Sequence, residues 1–190
     1  MQNEIKIMVN ESVETKRSVQ ERLSAKIEEA AQLIIEALKN NKKILIAGNG
    51  GSASQASHIA AEFVGRYKIE RKALPALALT ADLAAITAIG NDYGFDAIFQ
   101  RQLEALANEG DVFIALSTSG NSENLVKAVE AAKKLNVHVV CLLGKGGGAM
   151  KNTSKVEIIV PSDNTPRIQE AHLMILHIIC ELVDEELFGK

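Results

Sequence analysis

Residues 111–122, DVFIALSTSGNS, constrain the fold of this chain more than any other stretch. Apolar residues run without interruption over 112–116. A strand with one wet face alternates apolar and polar side chains. An unbroken apolar run instead fits a strand covered on both faces, as in a parallel sheet layered between helices. Ser117, Thr118, Ser119, Gly120, Asn121 and Ser122 follow, and beyond them Leu125, Val126, Val129 and Ala132 recur at helical spacing. The hydroxyl-rich turn thus falls where a buried strand gives way to a helix. Helix N-termini carry unpaired backbone N–H groups and partial positive charge, and so attract anions. Serine and asparagine are also favoured simply as N-caps. Four hydroxyls within six residues exceed what one cap requires and point to a phosphate cradle.

The same strand–turn–helix grammar repeats along the chain. Over residues 2–40, Ile5, Met8, Val9, Val13, Val19, Leu23, Ile27, Ala30, Ile34 and Leu38 recur at three- and four-residue steps. This predicts a helical arm, with Ser24 a candidate cap for a second helix after a break and Asn40-Asn41 the stop. The arm either packs on its own domain or builds an oligomer interface. Strands are expected over 43–47, 75–79, 112–116, 137–143 and 156–160, each followed by a helical pattern or a turn. The first helix after a strand should run from about 53 to 66. Thr80 should cap a helix ending near Gly90, with a turn over 91–94 and another helix to about 107. The third strand's helix should reach about 135, GKGGG at 144–148 reads as a flexible loop, and Thr165-Pro166 supply a cap and first-turn proline for a last helix to about 187. Alternation of this kind gives an α/β fold: a doubly wound, flavodoxin-like five-stranded parallel sheet flanked by helices. All 190 residues are expected to form one domain, with 1–40 as the arm used in oligomerisation. Ligands of such sheets bind at the carboxyl ends of the strands near the switch point. The turns at 48–52 and 117–122 are built alike and would face one pocket.

Bulk properties exclude several classes of function. A net charge of −3 provides no general basic field for nucleic acid, and 4% aromatic residues without tryptophan provide no stacking platform for single strands. No apolar run approaches membrane-spanning length, and MQNEIKIMVNE lacks a signal-peptide core. Cys141 and Cys180 read as buried small hydrophobes, which suits a reducing compartment. A cytoplasmic protein with no nucleic-acid or membrane partner is expected.

Several residues could carry chemistry. Residues 48–53 match the dinucleotide pattern G-x-G-x-x-A, but the acidic residue required about twenty positions on is missing, since Glu70 lies in a charged segment before the second strand. His58 and Glu62 are four apart, which places them on one helix face. That helix starts at the ligand edge of the sheet, so its first two turns should lie near the pocket. Glu62 stands among Ile59, Ala60, Ala61, Phe63 and Val64. Apolar surroundings would raise its pKa and suit it to general-base work; a solvated helix face is the alternative. Gln169 and His177 lie two turns apart on the last helix, on the ridge of Leu173, with His172 beside Gln169. A histidine within LMILHIIC is commonly a satisfied core residue. Together His58, Glu62, Gln169 and His177 offer a mixed nitrogen and oxygen set for a divalent metal such as zinc, although H-E-x-x-H is absent and glutamine is a poor zinc ligand.

GNGGS at 48–52, HIAAE at 58–62, GRY at 65–67, GNDYGF at 90–95, STSGNS at 117–122, GKGGG at 144–148, RIQEAH at 167–172 and His177 occur together in this chain. With these motifs it resembles, over nearly its whole length, the phosphoheptose isomerases of the sugar-isomerase (SIS) domain family. The resemblance implies that Ser117, Thr118, Ser119 and Ser122 hold a substrate phosphate. It implies that Asn49, Gly50, Gly51, Ser52, Asn91, Asp92, Glu62 and Gln169 contact the sugar. Glu62 would be the catalytic base and His177 its acid/base partner. His58, Glu62, Gln169 and His177 would be the ligands of one zinc per subunit, as in some members. The implied reaction converts sedoheptulose 7-phosphate to D-glycero-D-manno-heptose 7-phosphate through an enediol, in a homotetramer with active sites between subunits. Some relatives carry an acidic residue just before RIQ; this chain has Pro166 there, so that residue's auxiliary role does not transfer. The family also includes a non-catalytic regulator of the replication initiator DnaA and sugar-phosphate sensors without catalysis. In the former the helix glutamate and last-helix histidine are replaced, whereas Glu62 and His177 are present here.

Overall fold

The computed structural model describes residues 1–189 of the chain. Five strands, β1 (Ile44–Gly48), β2 (Ala76–Ala78), β3 (Val112–Ser117), β4 (His138–Leu143) and β5 (Val156–Ile159), form one sheet. Their order is β2-β1-β3-β4-β5 and each pairing is parallel. The α-helices are α1 (Gln2–Lys39), α2 (Gly51–Val64), α3 (Leu83–Tyr93), α4 (Ile98–Leu106), α5 (Glu123–Lys134) and α6 (Thr165–Phe188). None of the described helices is long and apolar enough to cross a membrane.

Two-sided burial explains the unbroken apolar strands. Ile44, Ile46, Val112, Ile114, Val140 and Leu142 face a core shared with α1, α2 and α6. Their neighbours Leu45, Ala47, Phe113, Ala115, Val139 and Cys141 face a second core against α4 and α5. The chain leaves β1 for the edge strand β2, then returns to β3 on the other flank of β1. The β1/β3 border is therefore the switch point, and Gly48 lies opposite Leu116. The turns that follow β1 and β3 leave the sheet side by side, as expected of paired ligand-binding turns.

Several expected boundaries move, each for a local reason. α1 is a single helix with no break at Ser24, whose hydroxyl donates to the Gln20 carbonyl one turn back. Its buried residues are concentrated toward its C-terminal end, while Ile5, Ile7, Met8, Val9 and Val13 are exposed. Asp82, not Thr80, caps α3 by accepting from the Ala85 amide at 2.9 Å; the Thr80 hydroxyl is engaged with Ser57 and the Ala53 carbonyl. α3 continues through Gly90 to Tyr93, so 91–93 form its last turn rather than a free turn. One glycine costs a helix only about 1 kcal/mol, and this one is carried by its neighbours. Asn164 occupies the cap position before α6, which moves Thr165 and Pro166 one place into the helix.

Both cysteines are buried and free, as expected. The core histidine of α6 is His172, not the His177 of LMILHIIC: it is fully buried, with Nε2 donating to the Leu143 carbonyl at 3.0 Å and Nδ1 left without a partner. Burial pushes its imidazole down to about 4, against the opposing pull of that carbonyl. The unfolded chain takes up a proton near pH 6.5 that the folded chain refuses until about 4. The stability His172 contributes is therefore complete above 6.5 and declines as pH falls toward 4. Between pH 7 and pH 5 urea unfolding should show a loss of about 2 kcal/mol from this group. A His172→Gln variant, which keeps a donor for Leu143, should lack that part of the slope.

Candidate active site

The turn after β3 is tied to itself through its serines. The Ser117 hydroxyl accepts from the Gly120 amide at 3.0 Å and lies 3.3 Å from the Ser122 hydroxyl. Ser119 Oγ accepts from the Asn121 amide at 3.2 Å. Ser122 stands at the cap position of α5 yet makes no side-chain cap bond. The hydroxyls therefore face one another across the turn instead of closing the helix, and Thr118 and Ser119 remain partly exposed. Gly120 has φ +68°, and a Cβ there would sit 1.9 Å from the Gly147 carbonyl oxygen. GKGGG accordingly behaves as a buttress: Gly147 and Met150 are buried, Met150 N–H donates to the Gly120 carbonyl at 3.0 Å, and Ala149 N–H donates to Asn121 Oδ1 at 2.9 Å. The expected flexible loop is a packed support, because Gly120 and Gly148 let two backbones approach where a side chain would intrude: a Cβ on Gly148 would lie 2.4 Å from the Ser119 carbonyl oxygen.

The turn after β1 joins the same edge. Asn49 and Asn124 exchange two amide hydrogen bonds, each 2.9 Å, so the GNGGS turn is bonded to the first turn of α5. Asn124 is buried and was not anticipated, since nothing in the sequence pairs two asparagines 75 positions apart. Gln169 packs here too: a Cβ on Gly51 would lie 2.8 Å from its Nε2, and its backbone carbonyl accepts from Gln55. Ser52 is buried, whereas Asn91 and Asp92 are exposed at the end of α3 and bond to each other at 2.7 Å.

The second group of residues lies elsewhere. α2 and α6 run side by side in the same direction. His58 Nε2 and His177 Nε2 are 3.0 Å apart, and Glu62 Oε1 is 3.4 Å from His58 Nε2. Donor atoms of His58, Glu62 and His177 all lie within 4.8 Å of one another. Two nitrogens held by one tetrahedral ion at about 2.0–2.1 Å stand roughly 3.4 Å apart, so this donor set fits a divalent cation. His177 is held below the ordinary histidine range by burial first and by His58 second, with Glu62 pulling the other way. A neutral imidazole is the form that ligates or accepts a proton.

Two expectations change here. Ile59, Ala60 and Phe63 turn into the core, while the Glu62 side chain stays 23% exposed beside the histidines rather than enclosed by its sequence neighbours. Because α2 begins at Gly51, Glu62 lies eleven residues on, about 16 Å along the axis from the sheet edge. The cluster is thus in the later turns of α2, not in its first two. Gln169, eight residues before His177, is about 12 Å up α6 from the cluster. Within one chain the structure assembles His58, Glu62 and His177, and separately Asn49, Gly51, Gln169 and the serine turn.

The SIS domain family matches residues 9–144 of the chain. The chain belongs to the SIS-domain family. It is 49% identical over 191 residues to a phosphoheptose isomerase from Sulfurimonas denitrificans, covering 100% of this chain and 98% of that one. Among solved structures it is similar to a phosphoheptose isomerase from Neisseria gonorrhoeae, at 42% identity and TM-score 0.91, covering 97% and 98% of the two chains. It is equally similar to one from Francisella tularensis, at 40% identity and TM-score 0.93, covering 96% and 97%.

Gly120→Ala combines a strained φ with a collision against Gly147. It should cost about 1–3 kcal/mol in thermal or urea unfolding and displace the serine turn. Titration calorimetry with inorganic phosphate should then show at least a tenfold loss of affinity relative to the unsubstituted chain, about 1.4 kcal/mol or more.

Proposed function

We propose that this chain is an aldose–ketose isomerase that converts sedoheptulose 7-phosphate to D-glycero-D-manno-heptose 7-phosphate, the first step of bacterial heptose biosynthesis. The observation that carries this reading is the convergence of Glu62 with His58 and His177 from two helices, in a chain that matches phosphoheptose isomerases end to end. The carboxylate of Glu62 removes a proton from C1 of the ketose and returns it to C2. His177 moves the matching proton from O1 to O2, so that the aldehyde forms at C1 as the hydroxyl forms at C2. Ser117, Thr118, Ser119 and Ser122 anchor the distant phosphate, and Asn49 to Ser52 with Asn91, Asp92 and Gln169 meet the sugar hydroxyls. Anchoring remote from C1 supplies orientation. His58, Glu62 and His177 would hold zinc, with Gln169 of a neighbouring copy as a fourth ligand, and a bound ion would stabilise negative charge on the enediolate oxygens.

The separation of the two residue groups bears on assembly. About 16 Å of helix lies between the sheet edge and Glu62, longer than an extended seven-carbon sugar phosphate. A complete site therefore draws its phosphate turn and its Glu62 from different copies of the chain. The exposed Ile5, Ile7, Met8, Val9 and Val13 on α1, and the groove lined by Val13, Val19, Ile27, Met174, Ile178 and Leu182, are the surfaces for that contact. The reading is a homotetramer whose arm, residues 1–40, joins one domain to its neighbours. Free buried cysteines suit a cytoplasmic enzyme feeding lipopolysaccharide or capsule heptose.

Purified protein given sedoheptulose 7-phosphate should produce heptose 7-phosphate, and absence of turnover with and without zinc would overturn the proposal. Glu62→Gln should lower kcat on the order of 10²- to 10⁴-fold while leaving phosphate-ester binding intact, as read by kinetics and calorimetry. Sedimentation at micromolar concentration should give a tetramer; a monomer refutes the shared site.

A further inference from the structure

The chain segment that follows α2 lies along α6, against the same face that carries His177. Tyr67 stacks on the His177 imidazole, with ring centroids 5.6 Å apart and planes 27° apart. Lys68 Nζ pairs with Glu181 Oε1 at 2.6 Å. Arg71 Nε donates to Asp184 Oδ1 at 2.8 Å. His177, Glu181 and Asp184 stand at i, i+4 and i+7, so the three contacts descend one stripe of α6. GRY, the start of this segment, is a motif to which the reaction above assigns no task.

The three contacts differ in kind. Lys68 and Glu181 form an exposed pair, which contributes little. Arg71 and Asp184 are buried, with side chains 1% and 4% exposed. The remaining guanidinium nitrogens reach the end of α2. Nη2 donates to the Glu62 carbonyl at 2.8 Å, and Nη1 donates to those of Phe63 at 2.8 Å, Gly65 at 3.1 Å and Lys72 at 3.1 Å. Carbonyls at a helix C-terminus lack intrahelical partners, and here one planar group satisfies several of them while gripping α6. One of them belongs to Glu62 itself. The fixed fork of arginine fits this task; an ammonium, a single point on a flexible stem, does not.

We propose that residues 65–71 are a positioning strap for the Glu62–His177 pair. Arg71 sets the spacing of α2 and α6 from the backbone of Glu62, and Tyr67 sets the plane of the His177 ring. Both are positioning residues that act through others. The inference rests on the isomerase reading, in which Glu62 and His177 must meet the substrate at a fixed separation. Displacing a reacting group by about 1 Å costs on the order of 100-fold in rate.

The test uses Arg71→Lys, Tyr67→Leu and Tyr67→Phe in the full chain, read by steady-state kinetics and by NMR of the His177 ring protons. Arg71→Lys should lower kcat about 10- to 100-fold, with KM within about threefold because the phosphate turn is untouched. Tyr67→Leu should lower kcat about tenfold and shift the His177 ring protons, whereas Tyr67→Phe, which keeps the ring, should restore both. Normal kcat in Arg71→Lys and Tyr67→Leu, whatever their melting temperatures, overturns the strap. Tyr67 is partly exposed, so its pair of variants decides the matter if Arg71→Lys does not fold. A wild-type chain without turnover sinks the isomerase reading instead. In that case His177 protons that move in Tyr67→Leu and return in Tyr67→Phe support the strap, and protons unmoved in both overturn it.

Discussion

Everything in this molecule depends on burying the central strands on both faces. Once β1 and β3 are covered from either side, their polar backbone is exposed only at the strand ends, and the turns there inherit all the polar chemistry of the sheet. The switch in winding direction between β1 and β3 puts two such turns in contact. Asn49 and Asn124 then weld them, and Gly120 with Gly148 lets a third loop press against the second. The opposite edge of the sheet is closed differently. There the Asp111 carboxylate, 2% exposed, accepts from Lys43 Nζ and from the amides of Lys43 and Asn108. That edge is sealed by satisfied charges, while the other carries the hydroxyls of the serine turn.

The two cores also divide labour. α4 and α5 form a plain apolar layer against one face of the sheet. On the other face, α2 and α6 run parallel, each following a strand of the parallel sheet, and this brings residues 51 and 169 together at one level and residues 58 and 177 at another. Polar side chains facing across a helix pair are costly to bury unless they find partners. His58, Glu62 and His177 answer one another, and the cluster remains partly open to solvent. A pair of helices with identical direction thus carries two polar stations, one at the sheet edge and one about 10 Å further along.

Much of this was legible in the sequence. Unbroken apolar runs located all five strands within a residue or two, and helical spacing placed His58 with Glu62 on one face. The hydroxyl-rich turn after the third strand was evident from its composition. What periodicity could not register was depth. A four-residue spacing says that two side chains share a face, not how far down the helix that face is used, so the cluster was expected beside the sheet edge and lies well below it. Nor does local pattern reveal partners distant in sequence. Asn124, Arg71 and Tyr67 owe their roles to contacts made 75 to 113 residues away. The density of glycine in GKGGG was visible, but its reason, the close approach of a second backbone, is a tertiary fact.

The reciprocal amide pair has a consequence for how a ligand is read. Each asparagine amide has two donor hydrogens and two acceptor lone pairs. Bonding to Asn124 occupies one of each on Asn49, and one of each remains. A hydroxyl group both gives and takes, so such a head group can meet one as donor or as acceptor. On the reading proposed above, the turn after β1 can therefore hold a sugar hydroxyl through either its donor or its acceptor. On that reading, handedness in the product is imposed at the other station, by the face from which the Glu62 carboxylate delivers its proton.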